Sequence, residues 1–217
     1  MKRLLRTIGW SGLVFLASLN CFLAMRYLLP HVPFAAPLPN LKLNRIALAI
    51  RASCAGIALI VGPFQLIEGL RTRWRQTHRR LGWVYAAAVT LGGISATPLA
   101  LRANFGPIAG PGFLMLDALW LITTGTAIWM VVRHQFEGHR RWMLRSYSLT
   151  AAAITLRIML PASAMMGFPA GPSYRTIAWM CWLPNLLIME AYLRLRSGSP
   201  SGLATTEQTQ GDPLALE

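Results

Sequence analysis

Long runs of apolar residues, separated by short clusters of arginine, dominate the pattern of hydrophobic and polar positions along the chain. A transmembrane helix needs about 20 predominantly apolar residues to cross the hydrocarbon core of a bilayer, which is roughly 30 Å thick. Six runs have a suitable length, and the predicted spans cover residues 7–25, 46–70, 81–101, 112–132, 146–168 and 177–193. The pattern therefore predicts an all-α fold, a polytopic membrane helix bundle with six transmembrane helices.

The chain after the last predicted span differs in composition from the part that contains the spans. Residues 1–196 hold all six spans and form one predicted transmembrane domain, whereas residues 197–217 are polar and predict a disordered cytoplasmic tail. Within the sixth span, Pro184 is expected to kink the helix, because proline has no backbone N–H to donate and its ring clashes with the preceding turn.

Basic residues are far more numerous than acidic ones, with 21 Lys and Arg against 7 Asp and Glu and a net charge of +14. The bases lie between apolar runs, so the bilayer explains them better than nucleic acid does, because cytoplasmic loops of membrane proteins collect Lys and Arg. Fourteen of the 21 fall on one side of the predicted membrane, which puts both termini in the cytoplasm of a bacterial inner membrane protein. They are Lys2, Arg3, Arg6, Arg71, Arg73, Arg75, Arg79, Arg80, Arg133, Arg140, Arg141, Arg145, Arg194 and Arg196.

One short motif occurs twice. His78-Arg79-Arg80 opens the third predicted span, His139-Arg140-Arg141 opens the fifth, and a tyrosine follows each triplet by about two helical turns. One interpretation is a repeat of two helical hairpins in parallel orientation, as internal repeats are common in membrane folds. The other is that the triplet arises independently, because basic loops contain many arginines.

Several longer motifs between residues 62 and 161 carry a family resemblance. They are Gly62-Pro63-Phe64-Gln65, His78-Arg79-Arg80-Leu81-Gly82-Trp83-Val84-Tyr85, His139-Arg140-Arg141-Trp142-Met143-Leu144-Arg145-Ser146-Tyr147-Ser148-Leu149-Thr150, Thr155-Leu156-Arg157 and Pro161. With these motifs the chain resembles the bacterial membrane proteins of the family called domain of unknown function 2306. The resemblance implies a membrane helix bundle and assigns no activity to it.

Arg157 is unusual because it lies deep inside a predicted span. At 1.5 Å per residue it is about 17 Å beyond the inner boundary at Ser146. An arginine at such a depth costs at least about 2.5–3.5 kcal/mol and is expected to face the bundle interior with a partner. Asp117, in the outer half of the fourth span, is the partner that we predict. The pair is either a structural link between two helices or part of a site for an anionic ligand.

The two histidines suggest a cofactor. If His78 and His139 face each other at the cytoplasmic ends of their helices, two neutral imidazoles can bind the iron of one haem b. Arg79, Arg80, Arg140 and Arg141 are then candidate partners for the propionates, or for lipid phosphate. The alternative is that both histidines are interfacial residues, hydrogen-bonded to water or lipid.

Gln65 and Glu68 lie near the inner end of the second span, at about the depth of the His78 triplet. Glu68 either pairs with Arg71 at the i, i+3 spacing or handles protons beside a quinone or haem. The sequence contains no Walker loop, no HExxH and no GxSxG motif, so it favours no enzyme class and no firm metal site.

Three functions remain open at this point. The first is a haem-binding or redox protein that uses His78 and His139, and the second is a small transporter or binding protein for an anionic or lipidic ligand around Arg157. The third is a non-catalytic membrane subunit or sensor. The expected partners are membrane lipids, and either a second copy of the chain or another membrane protein.

Overall fold

The structure, a computed structural model, describes residues 41–101 and 107–197, together with the single residue Ser18. Within these residues it contains eight helices and no strand, which confirms the all-α prediction. The predicted span 7–25 and the predicted tail beyond residue 197 lie outside the described residues. In chain order the helices are α1 (Leu41–Leu66), α2 (Glu68–Arg73), α3 (Arg75–Leu101), α4 (Ala109–Val132), α5 (Phe136–Thr150), α6 (Ala152–Met165), α7 (Ala170–Met180) and α8 (Leu183–Ser197).

Four helical stretches of the described chain are long and apolar enough to cross a membrane. They correspond to the predicted spans 46–70, 112–132, 146–168 and 177–193, and the larger shifts are at the beginnings of the last two. Those two helices begin in polar sequence, which hydropathy assigns to loops although the backbone there is already helical. The four stretches are Ile46–Leu66, Ala109–Val132, Phe136–Met165 and Ala170–Arg196.

The predicted span 81–101 lies in α3, which is not among these four stretches. Arginines in its first two turns, and the glycine, serine and threonine residues that follow, lower the apolar character of this helix. Its 27 residues nevertheless give it a length of about 40 Å, enough to cross a bilayer. The count of six spans therefore stays a prediction.

Two of the four stretches are broken into pairs of helices. α7 ends at Met180 and α8 begins at Leu183, so Pro184 occupies the first turn of α8, where its missing N–H is not needed. The kink expected from Pro184 is thus a break between two helices. α5 and α6 meet at Ala151 without a proline; there the Thr150 hydroxyl donates to the Ser146 carbonyl at 3.0 Å, a bond that bends helices.

The bundle is built from two tightly packed helix pairs. α1 packs most extensively on α3 and α4 on α5, as the hairpin interpretation predicts, and contacts between α3 and α4 join the pairs. α7 packs on α4, α8 on α5, and α6 on α7. A single cluster of buried side chains runs through the centre, including Tyr85, Trp120 and Tyr147. Whether the two hairpins are a duplication stays a prediction.

Gly62 brings α1 and α5 into close contact. A Cβ atom added to this glycine would lie 2.2 Å from Cε2 of Tyr147, so no larger side chain fits without displacing the ring. The Tyr147 hydroxyl donates to the Leu59 carbonyl one turn earlier on α1, at 3.4 Å. Small residues allow such close approach of membrane helices. Here the Tyr147 ring fills the space that a side chain at position 62 would occupy.

We expect Gly62→Ala to destabilise the protein by about 1–3 kcal/mol, because overpacking a well-filled interior forces side chains or backbone to move. The melting temperature of the detergent-solubilised protein measures this effect. Gly125→Ala is the matched control, since nothing lies within 4 Å of a Cβ at Gly125 and alanine favours helix. Equal melting temperatures for the two variants would contradict the prediction.

Candidate functional site

His78 and His139 lie at the same end of the bundle, which we call the histidine end. Each is the fourth residue of its helix, as α3 begins at Arg75 and α5 at Phe136. Both triplets therefore lie in the first two turns of helices, which begin before the predicted spans 81–101 and 146–168. The charge of His139 also lowers the pKa of His78, so the two rings interact electrostatically.

His139 is held in one orientation by the backbone of α4. Its Nδ1 lies 2.8 Å from the carbonyl oxygen of Ala127. Because a carbonyl oxygen can only accept, Nδ1 carries the proton and Nε2 keeps its lone pair in the neutral ring. Histidines that bind metals commonly donate their other ring nitrogen to a carbonyl in this way. His139 is thus oriented as a ligand would be.

A tight turn between α4 and α5 allows His139 to reach the Ala127 carbonyl. His134 has a positive φ of 59°, its N–H bonds the Val131 carbonyl at 3.1 Å, and the Gln135 N–H bonds the Met130 carbonyl at 2.9 Å. This is a Schellman motif, in which the left-handed residue is usually glycine. Beyond it, Gly138 passes so close to Met130 that an added Cβ would lie 2.9 Å from the sulfur.

His78 is half-buried in the described structure and favours its neutral form. Burial lowers the pKa of the ring below its ordinary value, and the positive charges of His139 and Arg71 lower it further. Its Nδ1 is buried and has no hydrogen-bond partner within the described part of the chain. A buried polar atom without a partner costs about 1–3 kcal/mol, so this nitrogen marks His78 as a candidate site residue.

Gln65 supplies a second polar atom of this kind. Its Oε1 lies 3.8 Å from the position of a Cβ on Gly82, one turn beyond His78 on α3, and its Nε2 is buried without a partner in residues 41–101 and 107–197. Gln65 and His78 therefore lie near each other in depth, as predicted. Glu68 begins α2, but its side chain lies outside the described residues, so its predicted pairing with Arg71 stays a prediction.

The four arginines of the two triplets are all exposed at the histidine end. Arg79 and Arg80 follow His78 directly on α3. Arg140 and Arg141 line a cleft between α5 and α8. The two arginine pairs therefore differ in surroundings, although their sequences are the same.

A buried network of hydroxyl groups lies two turns deeper than the histidines and was missed by sequence reasoning. The Tyr85 hydroxyl lies 2.8 Å from both Ser146 Oγ and Thr150 Oγ1. The Trp120 indole donates to Thr150 Oγ1 at 2.9 Å, and Thr124 Oγ1 lies 2.7 Å from Ser146 Oγ. The network joins α3, α4 and α5. The seven-residue spacing from His78 to Tyr85 and from His139 to Ser146 is the signal that could have found it.

The partner of Asp117 differs from the prediction. Arg51 Nη1 lies 2.7 Å from Asp117 Oδ1, which joins α1 to α4, whereas the sequence paired Asp117 with Arg157. Asp117 is 4% exposed, and its second oxygen has no partner in the described structure. Arg51 lies as far from the outer end of its predicted span as Asp117 does from its own. That equality of depth was available in the sequence.

Arg157 lies on α6, which packs mainly on α7 and not beside Asp117. Its side chain is half-buried, and Nη1 donates to the Ala153 carbonyl one turn earlier at 3.4 Å. The structure therefore separates Arg157 both from the acid predicted for it and from the histidine end. It brings together His78, His139 and Gln65, and this group is the candidate site.

Comparison with known proteins identifies one family. The model of the family DUF2306, described as a predicted membrane protein, matches residues 48–193. The matched range contains the candidate site, the hydroxyl network and the Arg51–Asp117 pair, and it confirms the resemblance inferred from the motifs. No curated protein and no solved structure matches the chain.

The ion pair can be tested with a double-variant cycle. We expect Arg51→Met alone to destabilise the protein by about 3–5 kcal/mol, because it leaves a buried acid without its counter-charge. Arg51→Met combined with Asp117→Leu should recover most of that loss, since no charge then remains buried. Unfolding free energies in detergent micelles measure the cycle. Additive losses in the double variant would show that the two side chains do not act as a pair.

The coupling of the two histidines can be tested by titration. We expect the His78 ring to titrate below the ordinary histidine pKa of about 6.5, and its pKa to rise in His139→Gln, which removes a neighbouring positive charge. Because the pKa is lowered in the folded protein, acidification below about 6.5 should also reduce folded stability. Nuclear magnetic resonance of isotope-labelled histidine measures the midpoint. An unchanged midpoint in His139→Gln would place the rings too far apart to interact.

Proposed function

The chain belongs to the DUF2306 family of predicted membrane proteins, and we propose that it binds one haem b between His78 and His139. Two neutral imidazoles on different helices would be the ligand set of this haem. Haem bound in this way carries one electron, as its iron alternates between the ferric and ferrous states. The proposed function is therefore that of a membrane redox carrier.

The observation that carries this proposal is the state of the two rings. His139 is oriented by the Ala127 carbonyl, which leaves its Nε2 lone pair for a metal. His78 has a lowered pKa and an unpartnered ring nitrogen, and iron binds only the neutral form. If His78 were an ordinary interfacial histidine, its Nδ1 would lie where water or lipid could hydrogen-bond to it, whereas this nitrogen is buried.

Polar and basic groups near the two rings also support the proposal. Gln65 has an unpartnered amide beside α3, and the exposed side chains of Arg79 and Arg80 would be the partners of the propionates if a haem were bound. Arg140 and Arg141 line a different cleft and are less suited to this role. The hydroxyl network joins α3 to α5, the two helices that carry the proposed ligands.

We also propose the six-span topology with both termini in the cytoplasm of a bacterial inner membrane. α3 runs from the histidine end to the end where α4 begins, so it extends along the same height of the bundle as α4, which is a candidate span. This supports a crossing by α3. The concentration of arginine at the histidine end supports the cytoplasmic side for the haem ligands.

The visible spectrum of protein purified from haem-replete cells tests the proposal. We expect a Soret band with one haem per chain, and its loss or conversion to a high-spin form in both His78→Ala and His139→Ala. His134→Asn is the matched control, because His134 is an exposed histidine at the same end, and asparagine tolerates its positive φ.

A colourless wild-type preparation from such cells would contradict haem binding. Haem binding by His78 and His139 would also be contradicted if His134→Asn changed the spectrum as much as His78→Ala and His139→Ala do. Circular dichroism of each variant separates loss of the ligand from loss of the fold.

A further inference from the structure

The cleft between α5 and α8 at the histidine end is a separate feature from the candidate haem site. Its volume is about 300 Å³. Three of the residues that line it are arginines, Arg140, Arg141 and Arg196, and all three are exposed. Glu137 is the one carboxylate among the lining residues. Two positive charges therefore remain in excess within a small space.

A neighbouring ion pair fixes the walls of the cleft. The Arg145 guanidinium on α5 binds both oxygens of Glu190 on α8, through Nε to Oε1 and through Nη2 to Oε2 at 3.1 Å. Glu190 is thereby occupied and does not neutralise the cleft. Arg196 lies over the Tyr192 ring, with its guanidinium carbon 5.6 Å from the ring centre. The ion pair thus links the two helices that form the cleft and leaves the excess positive charge of the cleft unneutralised.

The position of the cleft along the helices indicates what can reach it. The candidate span Phe136–Met165 begins at this level, and the candidate span Ala170–Arg196 ends there. The arginines therefore lie where the hydrocarbon core gives way to the lipid headgroups. Leu144 and Leu193 also line the cleft and make its inner part apolar.

We propose that this cleft binds the phosphate headgroup of an anionic phospholipid. Arginine binds phosphate through two parallel hydrogen bonds from its planar guanidinium, and basic pockets between membrane helices are sites for anionic lipid headgroups. Leu144 and Leu193 receive the beginning of an acyl chain. The same arrangement of charge above apolar side chains does not favour free phosphate, which has no apolar part. This proposal does not rest on haem binding.

Native mass spectrometry of the full chain in detergent, with phosphatidylglycerol as the probe, tests it. We expect one saturable site for phosphatidylglycerol and at least about tenfold weaker binding of phosphatidylcholine, which has no net charge. The triple variant Arg140→Gln/Arg141→Gln/Arg196→Gln should lose the site. Arg73→Gln/Arg75→Gln/Arg133→Gln is the control, because it removes the same charge outside the cleft and should retain the site.

Glu137→Gln provides a test that does not depend on the folding of a triple variant. It removes the only carboxylate that the described residues contribute to the cleft, so phosphatidylglycerol should bind several-fold more tightly to this variant. Three results would overturn the proposal: equal binding of the two lipids, equal losses in the two triple variants, or unchanged binding in Glu137→Gln. Complete displacement of the lipid by inorganic phosphate would also overturn it.

Discussion

Polar groups inside this bundle have to find their partners within the protein, because lipid hydrocarbon offers no hydrogen bonds. The hydroxyl network around Tyr85 meets this constraint with groups from α3, α4 and α5 that are satisfied by one another. The pair Arg51–Asp117 meets it in part with opposite charges, since Oδ2 of Asp117 has no partner among the described residues. Against this background, the unpartnered atoms of His78 and Gln65 stand out, since they lie together at one end of the bundle. Their position is what distinguishes a candidate site from the structural polar contacts.

The close packing of the bundle and its polar network depend on each other. Gly62 allows the Tyr147 ring to lie against α1, which seats α5 where Ser146 and Thr150 can meet Tyr85 from α3. Gly138 has a similar role nearer the turn, because its lack of a side chain makes room for Met130 of α4. Close to this contact, His139 reaches the Ala127 carbonyl. Short hydrogen bonds between helices require short distances between their axes. Small residues at the contacts provide those distances.

The sequence was sufficient to locate four of the spans, because a bilayer imposes one length of apolar run on every crossing. It also predicted an irregularity at Pro184, since proline has a direct effect on helix geometry, but as a kink and not as the end of one helix and the beginning of another. It did not give the partner of Asp117, because hydropathy encodes the depth of a residue and not the lateral order of helices. The break at Ala151 has no proline or glycine to mark it. The repeated triplet indicated that His78 and His139 lie at one depth, and each is indeed the fourth residue of its helix; their role as ligands stays a prediction.

The break at Ala151 separates two sets of neighbours along one candidate span. On one side of it, α5 is hydrogen-bonded through Ser146 to Tyr85 on α3 and to Thr124 on α4. On the other side, α6 packs mainly on α7. His139 and Arg157 are therefore held by different parts of the bundle, although both belong to the stretch Phe136–Met165.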